Sequence, residues 1–200
     1  SGEARLPEAA WALLGRVRAV HWGALGCPGL QAQGPAFLAA ARAAGAFVSC
    51  DLISPGPQSA AEVAALLPHV DLFMPSLAEL PLLAGTADPA RAAAHFLDLG
   101  ARGCIVKQGG AGATLYTRPD RDLVAVHVPA LPITPRDTTS CGDSLCAGFH
   151  AGRLNGLDPV AALHVAGAVA ASVAMGVGTL GALESFAQAR ALAERQAVPA

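Results

Sequence analysis

Apolar and polar positions alternate along the chain in a regular rhythm of short blocks. Arg18 to Ala24 predicts a strand, Gln33 to Ala44 an alanine-rich helix closed by Gly45, and Ala46 to Asp51 a second strand ending on a carboxylate. Ser59 to Leu67 predicts a helix, Val70 to Met74 a short strand, and Ser76 to Ala84 a helix ended by Gly85. Asp88 to Leu99 repeats the helical pattern and stops at Gly100. Strands alternating with helices predict an α/β protein with a largely parallel sheet.

After Gly103 the rhythm changes. Cys104 to Lys107, Ala113 to Thr117 and Leu123 to Val128 are β-like runs separated by Gly109-Gly110-Ala111-Gly112 and Arg118-Pro119-Asp120-Arg121. Turns this short predict antiparallel hairpins at one edge of the sheet. From Gly142 onward the pattern is helical, in segments near 142–154, 158–175 and 184–195. No repeat, linker or charge block divides residues 1–200, which predicts a single domain.

Composition narrows this picture. With 53% hydrophobic and 14% charged residues, the chain can bury a core. Its formal charge of -2 lacks the basic excess that grips a phosphate backbone, so nucleic acid is not expected as a partner. The five cysteines are widely spaced without a C-x-x-C, which argues against a disulfide framework or a zinc ribbon and predicts free thiols in a reducing cytoplasm. No secretory signal is visible in residues 1–20. The uncharged run from Pro159 to Leu183 is long enough to test as a membrane span. It is mostly Ala, Gly and Val and lacks flanking Trp or Tyr, so a buried helix is predicted instead. Lys107 is the one lysine of the chain.

Candidate chemistry concentrates in Asp137-Thr138-Thr139-Ser140-Cys141-Gly142-Asp143-Ser144. Small residues at 140–142 permit a tight turn, so backbone N–H groups at the start of the following helix converge on one point and make an anion site. Asp143 falls in the first turn, where the helix dipole favours a carboxylate. A carboxylate beside an anion cradle suits phosphoryl transfer, in which a base takes the acceptor's proton while amides neutralise developing charge. The competing interpretation is an ordinary N-cap and turn.

Asp137 to Asp143, continued by Ala147-Gly148-Phe149 and Ala151-Gly152, resembles the C-terminal signature of the ribokinase-like (PfkB) carbohydrate kinases. Asp71-Leu72-Phe73-Met74-Pro75-Ser76, with Glu79 and Leu83-Ala84-Gly85, is similar to the family's strand and N-x-x-E helix. Lys107-Gln108-Gly109-Gly110-Ala111-Gly112 is similar to its nucleotide-side glycine turn. The resemblance runs from about Val20 to Gly181 and implies a three-layer ribokinase-like α/β fold with antiparallel edge strands and C-terminal helices. The family's N-terminal strands, sugar-pocket residues and lid have no counterpart here, so this chain is expected to be part of a longer one.

The resemblance implies an ATP-dependent kinase acting on a hydroxyl of a sugar or sugar-like metabolite, with ATP, Mg2+ and K+ as cofactors. Asp143 would be the catalytic base, and Ser140, Cys141 and Gly142 the anion hole. Lys107, Gly109, Gly112 and Thr139 would lie along the nucleotide. Glu79 would serve magnesium, and Asp137 and Thr139 a monovalent cation, with carbonyls near Gly176 and Gly178. A homodimer through the lid would follow the family. Three positions depart from the pattern: Ser140-Cys141 replaces a glycine-alanine pair, Ser76 replaces Asn in N-x-x-E, and Gly167 stands near an asparagine common in the adenine-side helix. These departures keep open a non-catalytic module that binds a nucleotide or metabolite. Gly176-Val177-Gly178-Thr179-Leu180-Gly181 is also a literal G-x-G-x-x-G, which would mark a dinucleotide turn only if it followed a strand.

Overall fold

The computed structural model describes residues 4–23, 25–52 and 55–197. In chain order the elements are α1 (Glu8–Ala12), β1 (Ala19–Trp22), α2 (Pro28–Gln31), α3 (Gly34–Ala43), β2 (Phe47–Cys50), α4 (Ser59–Leu66), β3 (Leu72–Phe73), α5 (Leu80–Ala84), α6 (Pro89–Asp98), β4 (Gly103–Lys107), β5 (Ala113–Thr117), β6 (Val124–Val128), α7 (Cys141–Leu154), α8 (Pro159–Ala174) and α9 (Phe186–Ala197). Among the described residues six strands lie in the order β1-β2-β3-β4-β5-β6. β1 to β4 are parallel, with Ala19 opposite Phe47, Ser49 opposite Leu72 and Phe73 opposite Cys104. β5 and β6 turn back as antiparallel strands at the C-terminal end of the mostly parallel sheet. The chain divides into two compact units, one of residues 1–106 with 116–125 and one of residues 107–115 with 126–200.

In the first unit the parallel strands are covered on both faces, so their sequences are apolar almost without interruption. Val48, Ser49 and Cys50 of β2 and Gly103 to Val106 of β4 are all buried. Phe73 and Phe96 meet edge to face at 4.9 Å, among Leu38, Leu66, Leu67 and Leu80. Asp71 anchors the entry to β3: Oδ2 accepts from the Val48 N–H at 2.9 Å and Oδ1 pairs with Arg102 at 3.1 Å.

Several expected boundaries shift for local reasons. The helix expected over 76–84 is a 3-10 turn, Leu77–Glu79, followed by α5, because Pro81 has no N–H for a continuous ladder and instead occupies the first turn of a new helix. The strand expected over 70–74 narrows to Leu72–Phe73. β1 is shorter than the run 18–24 that suggested it, and Ala24 lies outside the described residues. α1, after Pro7, and α2 are too short to show a helical period.

In the second unit α7 lies against α8 through small residues. A Cβ at Gly148 would stand 2.9 Å from the Ala166 Cα and from the Val169 Cβ, so only glycine permits this separation. α9 covers α8 through Val165, Ala168, Val169, Ala189 and Ala193. The uncharged run 159–183 is α8 plus the turn that follows it. Among the described residues no helix is long and apolar enough to cross a membrane. The G-x-G-x-x-G glycines follow α8 and not a strand, so the βαβ context of a dinucleotide turn is missing.

Candidate active site

The start of α7 is built unlike the other helix starts in its unit. At α8 the N-cap Asp158 accepts hydrogen bonds from the Val160 and Ala161 amides, both at 2.9 Å, so the local sequence satisfies its own orphan donors. At α7 the N-cap is Ser140, which is left-handed (φ 58°, ψ 13°) and makes no side-chain cap. The Cys141 N–H donates to the Thr138 carbonyl at 3.2 Å, and the Ser144 N–H to the Ser140 carbonyl at 2.9 Å. Between them the amides of Gly142 and Asp143 have no acceptor among the described residues. Two such donors at the positive end of a 14-residue helix can receive an anion, and the Ser140 side chain does not cap them. Asp143 is exposed in the same turn.

Lys107 ends β4 and brings a cation to that turn. A Cβ at Gly142 would lie 3.5 Å from the Lys107 Nζ, and Nζ is 4.0 Å from the Cys146 Sγ. An ammonium beside a helix N-terminus is favourable when an anion lies between them. A carboxylate and two open amides therefore share the first turn of α7, with the Lys107 ammonium of β4 beside it.

The chain turns tightly after Lys107. The Gln108 N–H donates to the Gly112 carbonyl at 2.8 Å, with Gly109 (φ 57°) and Gly112 (φ 101°) inside the turn. A Cβ at Gly112 would collide with the Val128 carbonyl oxygen and stand 2.7 Å from the Ala130 nitrogen, so this glycine is dictated by close backbone approach as well as by its dihedral. At Gly109 a Cβ would meet nothing within 4 Å, and that side of the turn is open.

Asp137 ties the approach of α7 to the turn after α8. Its Oδ1 accepts from the Thr139 N–H and its Oδ2 from the Gly178 N–H, each at 2.9 Å. These bonds, the Gly178 amide first, then the Thr139 amide and hydroxyl, hold its carboxyl below the usual carboxylate range. The Cys141 thiol donates to the Ala170 carbonyl at 3.6 Å. Burial, and then the Asp137 charge, push its pKa up, so it stays a neutral thiol and not a nucleophilic sulfur.

Of the residues singled out from sequence, Lys107, Gly109, Gly112, Asp137, Thr139, Ser140, Cys141, Gly142 and Asp143 all fall in the second unit. Glu79 belongs to the first. There its Oε2 accepts from the Ser76 N–H at 2.7 Å while the Ser76 side chain accepts from the Glu79 amide, a reciprocal capping box. Cys146 and His150, one turn apart on α7, are respectively buried and half-buried. Sequence reasoning missed a hydrogen-bonded chain through Gln108, Thr114 and His127, because residues 114 and 127 meet only when β5 and β6 stand side by side.

Residues 2–185 match the pfkB family of carbohydrate kinases. A deoxyribokinase of Salmonella typhi is 36% identical over 123 residues, covering 59% of this chain and 39% of the relative. A candidate ribokinase II of Escherichia coli, solved in complex with ATP and Mg2+, superposes with a TM-score of 0.68 at 28% identity, covering 80% of this chain and 52% of that one. The Arabidopsis thaliana ribokinase complexed with ribose and ATP superposes with a TM-score of 0.81 at 20% identity, over 96% of this chain and 61% of that one, a likeness of fold. The chain thus spans less than two thirds of the length of each of these relatives. It belongs to the pfkB family of carbohydrate kinases.

Proposed function

We propose that the protein is an ATP-dependent kinase that phosphorylates a hydroxyl of a sugar or sugar-like metabolite, with Asp143 as general base. The observation that carries this is the pair of outward amides at Gly142 and Asp143, set beside the Lys107 ammonium and the exposed Asp143 carboxylate. Asp143 takes the proton of the acceptor hydroxyl as the hydroxyl oxygen attacks the terminal phosphorus of ATP, and the bond from that phosphorus to the bridging oxygen breaks to release ADP. The open amides of Gly142 and Asp143, with Lys107, receive the charge that develops on the transferring group, while the Cys141 amide, expected in the anion hole, is already bonded to Thr138. The nucleotide lies along the Gly109–Gly112 turn, with Lys107 and Thr139 at its phosphate end.

Magnesium bound with the nucleotide neutralises charge on its phosphates. Asp137 and Thr139 border a monovalent-cation position, since the carboxylate that gathers the Thr139 and Gly178 amides keeps lone pairs and stays ionised. The Escherichia coli relative solved with ATP and Mg2+ supports ATP as one substrate, and the family match and the deoxyribokinase relative support a sugar as the other.

The test is ADP release by the full-length protein with magnesium, potassium and a panel of sugars and nucleosides, beside the Asp143→Asn variant. General-base catalysis contributes about 10²–10⁴-fold, so the variant is expected to lose roughly that factor while still binding ATP. Wild-type turnover by the variant refutes the assignment. ATP binding without ADP release under any acceptor favours a non-catalytic binding module.

A further inference from the structure

One polar cluster in the second unit is not used by the chemistry above, and it adjoins the glycine turn. The Thr114 Oγ1 lies 2.9 Å from the Gln108 Oε1 and 2.9 Å from the His127 Nδ1. Thr114 is only 6% exposed, so its hydroxyl cannot turn to water instead. A carboxamide oxygen only accepts, so the single Thr114 hydrogen goes to Gln108. The Thr114 oxygen must then accept from His127, which places a proton on Nδ1. The chain runs in one direction: His127 Nδ1–H to Thr114 Oγ1, and Thr114 O–H to Gln108 Oε1. The opposite direction needs the Gln108 carboxamide turned over and the proton on Nε2, so the tautomer of His127 reports the orientation of Gln108.

With Oε1 held, the Gln108 Nε2 presents its two hydrogens away from Thr114, and it has no acceptor among the described residues. Gln108 is also the residue whose backbone N–H closes the turn onto Gly112, directly after Lys107. Its side chain is therefore oriented before any ligand arrives, and the entropy a free glutamine loses on binding is already spent. An oriented, unpartnered donor at the rim of an open glycine turn calls for an acceptor from outside the chain.

We propose that Gln108 is a nucleotide-binding residue whose Nε2 donates to an acceptor oxygen or nitrogen of the nucleotide lying along the Gly109–Gly112 turn, with Thr114 and His127 as its positioning residues. This rests on the placement of the nucleotide along that turn. The experiment has two readouts on the full-length protein. Imidazole ¹⁵N shifts give the His127 tautomer in the wild type, Thr114→Val and Thr114→Ser. Calorimetric titration gives ATP affinity for the same three proteins and for Gln108→Leu.

The expected result is an Nδ1–H tautomer in the wild type and in Thr114→Ser, lost in Thr114→Val. ATP affinity falls about three- to tenfold in Gln108→Leu and Thr114→Val, the value of one hydrogen bond, and recovers in Thr114→Ser. A wild-type Nε2–H tautomer overturns the proposal, as does unchanged affinity in Gln108→Leu. A Thr114→Ser variant as weak as Thr114→Val overturns the positioning role. If Thr114→Val does not fold, Gln108→Leu and the wild-type tautomer decide. A wild type that binds no ATP instead overturns the nucleotide placement itself, an outcome distinct from binding that Gln108 does not influence.

Discussion

Alanine at Gly112 and alanine at Gly109 are the same chemical change three residues apart in one turn, yet their environments predict different costs. At Gly112 the backbone sits at φ 101°, ψ -140°, a region that side chains other than glycine's occupy at about 1–3 kcal/mol. The new methyl also overlaps the Val128 carbonyl, with Pro129 C at 2.8 Å and Ala130 N at 2.7 Å. These are backbone atoms leaving β6 and cannot swing aside, so overpacking adds about 1–3 kcal/mol. The total is about 2–6 kcal/mol. At Gly109 the φ of 57° is an ordinary left-handed value costing about 1–2 kcal/mol, with no atom within 4 Å of the added methyl. Urea unfolding followed by circular dichroism, with m-values held common, measures both. Gly112→Ala should lower the midpoint clearly more than Gly109→Ala, and it should weaken ATP binding by displacing the turn. Equal destabilisation, to within about 0.5 kcal/mol, refutes the close-approach argument.

Three further outcomes follow from the geometry. Ser140→Gly removes a side chain from a left-handed residue, and stability should be unchanged or rise by up to about 1 kcal/mol in the same urea assay; a loss larger than that means the serine makes a contact the cradle needs. Gly148→Ala inserts a methyl 2.9 Å from the Ala166 Cα, and the α7–α8 contact should weaken by about 1–3 kcal/mol, read as a lower thermal midpoint. Asp137 binds its proton less readily when folded than when unfolded. Its contribution is complete above the usual carboxylate range and is lost as pH falls from about 4 through the lower folded value. Asp137→Asn should flatten the stability profile over that acid limb, and an unchanged limb shows that the Gly178 and Thr139 amides do not set this titration.

How much of this was legible in the chain depends on whether the decisive contact is local. β5 falls on residues 113–117 as the apolar run and its flanking glycine turn indicate, and α7 begins one residue before the expected Gly142. Both are set by neighbours in sequence. The sequence placed the open amides on residues 140–142, whereas the Cys141 N–H closes onto Thr138 and the open pair is Gly142 and Asp143, one residue further along. The break at Pro81 was equally local, but the apolar period ran through the proline and masked it. Ser76-x-x-Glu79 has the spacing of a capping box, and the family pattern drew attention to Glu79 as a metal residue and away from that simpler pairing. The Gln108–Thr114–His127 chain had no such signal. It depends on which residue of β6 stands beside Thr114, a register that turn length and strand twist fix together.

Lys107 carries the only ε-amine in these 200 residues, and it stands where the bound anion is expected. Amine-directed acylation therefore has a single internal address on this chain. Mass spectrometry with peptide mapping after a brief exposure to an acylating reagent would read occupancy of the phosphate position as protection of that one lysine, told apart from the terminal amine, with no engineered probe. The chain's scarcity of lysine turns an ordinary labelling reaction into a titration of its own candidate active site.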